Sequence, residues 1–133
     1  MRICFISRRF FPTISGMSVY ALNLLRELVR AGHDVTMIAQ YRDDALGTRV
    51  YGGGAPQSVE SVRVIGLESV GEQNGGDFEA DIERMVETIS QEHDRAPFDI
   101  LHAQYGYPTG LAALEASRRT NRFWFVKNPT CAE

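Results

Sequence analysis

Apolar residues along this chain fall into short continuous runs separated by longer amphipathic stretches. Arg2-Ile-Cys-Phe-Ile-Ser7 is the first run, and its four adjacent apolar residues suit a strand covered on both faces. Pro12 breaks the pattern. After Ser15-Gly16 the apolar positions take helical spacing: Val19, Ala21, Leu22, Leu25, Leu28 and Val29 share one face, with Arg26, Glu27 and Arg30 elsewhere. Gly32 supplies the left-handed residue that ends this helix, and Asp34–Ala39 starts a second buried strand. A strand, a helix and a strand in about forty residues make a βαβ unit, for which the right-handed crossover is the rule.

The alternation continues. Residues 41–58, with Gly52-Gly53-Gly54 and Pro56, form a loop, and Ser61–Leu67 forms a third strand. A loop with Gly71, Gly75 and Gly76 leads to a second helix, where Phe78, Ile82, Met85, Val86 and Ile89 draw a stripe and Asp77 is the natural N-cap. Pro97 ends the connection and Phe98–Ala103 is a fourth strand. Pro108 and Thr109 open a third helix to about Asn121, with Leu111 and Leu114 inward and Arg118-Arg119 in the last turn. Arg122–Lys127 suits a fifth strand.

The fold class this predicts is α/β: a single domain with a doubly wound, mostly parallel sheet in a Rossmann-like three-layer α/β/α arrangement. Ligands of such sheets bind beyond the carboxyl ends of the strands. The places to search are therefore Ser7–Met17, Gln40–Tyr41 and Ala103–Tyr107.

Composition narrows the chemistry. The chain has 133 residues, enough for one core without disulfide support, and a net charge of −3 that gives no global attraction to nucleic acid. Cys4 and Cys131 stand near opposite ends in no metal-binding spacing, which suits free thiols in a cytoplasmic protein. No run approaches the length of a membrane span, and no signal peptide precedes the first strand. The first loop lacks a G-x-G-x-x-G fingerprint, and the single lysine, Lys127, is far from any glycine-rich loop. Neither a dinucleotide cofactor nor a metal is expected. At the loop-to-helix junction, Gly16 either makes a turn or lets a ligand approach helix N–H groups that favour an anionic or hydroxyl-rich partner.

Three segments in order carry a resemblance. The string from Phe5-Ile-Ser-Arg-Arg to Val19-Tyr-Ala-Leu, then Gly32-His-Asp-Val35, then Pro97-Phe-Asp-Ile-Leu-His-Ala-Gln104, resembles the amino-terminal half of retaining GT-B glycosyltransferases of the family 4 type. Those enzymes open with a strand, a P-x-x-G-G loop, a helix and G-H-x-V, and later carry a strand ending in H-A-H. The resemblance spans residues 1 to about 121. It implies that this half binds a sugar or lipid-linked acceptor, while a carboxy-terminal domain holds a nucleotide-sugar donor and transfer needs no metal. Gly16 and Met17 would face the donor phosphates and the acceptor, with Ser15 in the same loop. Met17 stands where the second glycine is usual. His102, Gln104 and Tyr105 would line the acceptor side, where a tyrosine and an amide suit sugar recognition.

Arg8 and Arg9 are either solvated loop charges or partners of an anionic acceptor such as a phospholipid headgroup, with peripheral membrane contact as a consequence. His33 reads as a turn residue. Tyr105 and Tyr107 flank Gly106 and could simply cover the sheet edge. Glu79 and Glu87 repeat the family's E-x7-E spacing, but they sit on an amphipathic helix and read as a solvated acidic face. The donor domain is expected to be absent from this chain, which leaves the fragment inactive for want of groups to stabilise a departing nucleotide. Apolar surface uncovered by that absence would favour a homodimer. Two alternatives stay open: a non-catalytic small-molecule or regulatory module of the same fold, and the amino-terminal half of another GT-B enzyme such as a sugar-nucleotide epimerase.

Overall fold

Continuous apolar cover on both faces places β1 (Arg2–Ser7) at the middle of a parallel sheet. The chain continues through α1 (Gly16–Arg30), β2 (Asp34–Tyr41), β3 (Val62–Glu68), α2 (Glu79–Arg95) and β4 (Ile100–Gln104). A wide turn at Gly106–Gly110 then leads into α3 (Leu111–Thr120) and β5 (Phe123–Lys127). This is a computed structural model, and it describes residues 1–43, 53–71 and 75–121 together with the backbone of 123–127. The strand order is β3-β2-β1-β4-β5, with every pair parallel. The doubly wound arrangement expected from the alternating pattern is therefore present.

Strand alternation divides the core in two. Cys4, Ile6, Ile38, Leu101 and Ala103 face α2 and α3, where Met85, Val86, Ile89, Ala112, Ala113 and Ala116 meet them. Phe5, Val35, Met37 and Ala39 face the other way, against Phe10, Ala21, Leu25 and Val59. Burial pushes the Cys4 thiol far above its ordinary value, so this cysteine is a packing residue rather than a nucleophile. Cys131 and Gly52 lie outside the described residues.

The helix ends follow from local chemistry. The Ser15 hydroxyl accepts the Ser18 N–H at 3.2 Å and caps α1. At the other end Gly32, with φ +90, donates to Val29 O at 3.0 Å, and His33 N donates to Leu28 O at 3.1 Å. These are the two bonds of a Schellman motif, which only a residue comfortable in the left-handed region makes at low cost. Asn121, with φ 55, ends α3 in the same region.

Several expectations need correction. Val19 is 48% exposed, because the buried stripe of α1 is the narrower set Ser18, Ala21 and Leu25. Leu111 is 43% exposed, and α3 turns Ala112, Ala113, Ala116 and Ser117 inward. Small side chains let α3 lie close to the sheet and α2, with Leu111 exposed and Leu114 half-buried beside them. The N-cap of α2 is Phe78 rather than Asp77, although the Asp77 carboxylate accepts the Glu79 N–H at 3.3 Å. Gln40, Tyr41, Ala103 and Gln104 are the last residues of β2 and β4, not loop residues. Glu79 and Glu87 are exposed, as expected of a solvated face.

The corrected packing makes a prediction. Leu25→Ala removes a fully buried side chain and is expected to cost about 2–5 kcal/mol in urea unfolding. Val19→Ser should change stability by no more than about 0.5 kcal/mol, because its side chain stands in solvent.

Candidate functional site

Chain direction decides where the site lies. From β1 the sheet grows through β2 and β3 on one side and through β4 and β5 on the other, so the order reverses between β1 and β4. Their register pairs Phe5 with His102 and Ile6 with Ala103, which brings Ser7 and Gln104 to neighbouring positions on the carboxyl rim. In sheets of this kind ligands bind where the connections leaving two such strands diverge. The two segments singled out by sequence, 7–17 and 102–105, thus meet at one rim.

The β1–α1 connection is tightly braced. The Ser7 hydroxyl donates to Arg9 O at 2.6 Å, Thr13 N to Phe10 O at 3.0 Å, and the Ser18 hydroxyl to Thr13 O at 2.6 Å. Ser15 is occupied as the helix cap, so its hydroxyl serves α1 first. Gly16 has no positive φ, and a Cβ built there would meet no atom within 4 Å. The turn does not require glycine. Glycine leaves the first position of α1 without a side chain; of the early helix N–H groups, that of Ser18 is taken by the Ser15 hydroxyl and that of Val19 by Ser15 O. Met17 is half-buried in that same turn.

The β4 end carries the more telling polar groups. His102 stacks on Phe5, with ring centroids 4.6 Å apart and planes 10° from parallel. This places it on the α1 side of the sheet, and by alternation Gln104 shares that side. Burial pulls the His102 pKa down from 6.5 to about 4, so the imidazole is neutral at pH 7. Gln104 is fully buried, and neither its Nε2 nor its Oε1 has a hydrogen-bond partner among the described residues. A buried amide left in this state costs about 1–3 kcal/mol or more. Tyr105 follows with φ 72 and ψ 153, a backbone region otherwise nearly confined to glycine. The Thr109 hydroxyl, directed at the carbonyls of Gln104 and Tyr105, ties down this strained corner.

One residue outside both predicted segments also reaches the rim. The Arg8 guanidinium lies 5.1 Å over the ring of Phe78, and Tyr107 meets the other side of the arrangement edge-on, with centroids 5.8 Å apart. Sequence reading put Phe78 in the core stripe of α2, which is half its role. Asp81, which the sequence pattern does not single out, is buried in that helix and accepts the Ser69 hydroxyl and the Val70 and Gly71 N–H groups. A lone aspartate at an apolar helix position was the available signal. Among the described residues no cluster of three or more His, Cys, Asp or Glu could hold a metal ion. Nor is any described helix long and apolar enough to cross a membrane.

An all-parallel sheet of this order, with its crevice at the reversal point, defines a Rossmann-like α/β domain. The match of a family model adds what the fold alone leaves open. The chain belongs to the glycosyl transferase 4-like domain family, whose model matches residues 15–128. It is a glycosyltransferase-type domain. No curated protein sequence matches it significantly. Among solved structures, the C-terminal domain of a hydrogenase from Pyrococcus furiosus superposes with a TM-score of 0.65 at 11% identity, covering 95% of this chain and 90% of that one. A second structure of that domain gives 0.58 at 14% identity, over 95% and 89% of the two chains. TcCGT1, solved in complex with UDP, gives 0.51 at 13% identity over 93% of this chain and 27% of its own. At these identities the structural likenesses speak for the fold alone.

The lowered His102 pKa has a measurable consequence. The unfolded chain takes up this proton near pH 6.5, the folded chain only near pH 4, so acid favours unfolding throughout that window. Urea unfolding at pH 7 and pH 4.5 should show the native chain losing up to about 3 kcal/mol more than His102→Gln over the same interval. Equal losses in the two proteins would contradict a histidine buried neutral.

Proposed function

We propose that this chain is the acceptor-binding half of a retaining glycosyltransferase, completed by a carboxy-terminal domain that supplies a nucleotide-sugar donor. The observation that carries the reading is the amide of Gln104 at the β1/β4 reversal point, fully buried and without a hydrogen-bond partner among the described residues. A primary amide offers both donors and an acceptor, which is the complement of a sugar hydroxyl. Neutral His102 adds a group that can accept or donate without bringing a charge, and the Tyr105 ring suits the apolar face of a pyranose. The start of α1 at Gly16 and Met17 suits the donor's phosphates. A lipid-linked acceptor would set an anionic headgroup near Arg8 and Arg9. On this reading the half binds acceptor by itself but does not catalyse transfer, because the groups that stabilise a departing nucleoside diphosphate belong to the other half.

A second reading, a non-catalytic binding module of the same fold, is kept because no described residue is assigned a catalytic role. The two readings separate by experiment. Amide NMR of the chain titrated with a panel of glycosides, sugar phosphates and nucleotide-sugars should move the resonances of Gly16, Met17, Gln104 and Tyr105 with a sugar acceptor. Joined to the donor domain of its own gene, the protein should transfer sugar with the α/β configuration of the donor retained. A panel that leaves the four resonances still, or a gene encoding no donor domain, would overturn the enzyme reading.

Gln104→Leu sharpens the same test. Replacing an unsatisfied amide by an apolar side chain of similar volume should raise stability by about 1–3 kcal/mol while abolishing the sugar-induced shifts. A variant that is destabilised instead would mean that the amide already has its partners within the fold.

A further inference from the structure

We infer that Phe78 is the positioning residue of the crevice: one ring from the β3–α2 connection holds the β1–α1 and β4–α3 loops together, and Asp81 sets its place. The ring is 8% exposed and has neighbours from both loops, the Arg8 guanidinium 5.1 Å from its centre and the Tyr107 ring 5.8 Å away at 87°. A cation over the face of an aromatic ring and a ring meeting another edge-on are both favoured by the ring quadrupole. The two contacts therefore have preferred geometries, which general apolar packing would lack. Arg8 and Tyr107 belong to loops that leave the sheet on either side of the reversal point. Phe78 is bonded to neither loop in sequence, yet it touches both.

Its own position is set from below. Asp81, one turn into α2, accepts the Ser69 hydroxyl at 2.7 Å, the Val70 N–H at 3.0 Å and the Gly71 N–H at 3.0 Å. This fastens the end of β3 to the start of α2. Gly71 then lies so close to the ring that a Cβ there would come within 2.5 Å of Phe78 Cδ1 and 2.9 Å of Asp81 Oδ2. Gly71 has no positive φ, so glycine is required for space and not for conformation. The line of contacts runs Asp81, Gly71, Phe78, then Arg8 and Tyr107. Any side chain at 71 should push the ring and, through it, both loops.

The inference deepens the reading given above and rests on it only for the identity of the ligand. Its test is independent of any ligand. In the native chain, NOEs from the Phe78 ring to Arg8 Hδ and to the Tyr107 ring are expected, with upfield ring-current shifts at the Arg8 side chain. Phe78→Leu should abolish those shifts and move backbone amides in residues 8–14 and 105–110 together, while α1, the strands and the circular dichroism stay unchanged. Gly71→Ala should move the same two sets of amides although residue 71 touches neither loop. Absence of the NOEs in the native chain overturns the inference even if both variants fail to fold. Shifts confined to residues 69–85 in the variants overturn it as well. With a glycoside that binds the native chain, Phe78→Leu should weaken binding at least about 10-fold; if no member of the panel binds, the acceptor reading fails while the NMR result still decides the clamp.

Discussion

Parallel pairing of β1 with β4 is the constraint on which the molecule depends. With Ile6 opposite Ala103, the chain leaves both strands at the same level of the same rim. It then turns to opposite faces of the sheet, into α1 on one side and α3 on the other. Connections that start together and diverge in this way mark the place where sheets of this kind bind ligands. The apolar cover that fixes the pairing is extensive: Cys4, Phe5, Ile6, Leu101 and Ala103 are all fully buried. The polar residues Ser7, His102 and Gln104 follow at the ends of these same strands, where that cover gives way to the rim.

That change from apolar to polar at a strand end was visible in the one-dimensional pattern. Runs such as Ile3–Ile6 and Val35–Ala39 announce buried parallel strands because they are short, largely apolar on both faces and bounded by breakers such as Gly32 and Pro12. Gly32 announced the end of α1 for an equally local reason. The β1 and β4 segments of the crevice were legible for the same cause, since the carboxyl ends of strands in such a sheet are where function gathers. The misreadings at Val19 and Leu111 came from reading size as burial. In α1 and α3 the faces that pack are marked by Ser18, Ala21, Ala112, Ala113 and Ala116, and smallness lowers the hydrophobic signal at the very positions where helices come closest.

Phe78 and Asp81 were not legible as parts of the site, and the reason is general. Their roles depend on contacts with residues 8, 69–71 and 107, which only the three-dimensional path of the β3–α2 connection brings near. A periodic stripe assigns Phe78 to the core, and nothing in its spacing says that one face of the ring meets an arginine. Likewise the strained backbone at Tyr105 leaves no mark in the sequence, because tyrosine is not a residue that prefers it.

Three unfavourable features fall within residues 102–105: a neutral buried histidine, an amide with no partner among the described residues and a tyrosine in a glycine-like conformation. Elsewhere Ser18 and Asp81 are satisfied, while the buried Arg2 Nη2, Thr36 Oγ1 and Ser90 Oγ also lack a hydrogen-bond partner among the described residues. A buried polar group left unsatisfied beside the carboxyl rim of such a sheet is one that a ligand can satisfy. High-resolution diffraction from crystals of the chain tests this most directly. The account predicts an ordered water or sugar hydroxyl within about 3.2 Å of the Gln104 amide, inside a gap between the β1 and β4 connections. A Gln104 side chain bonded on both its nitrogen and its oxygen to the protein itself, with no room beside it, would contradict the account.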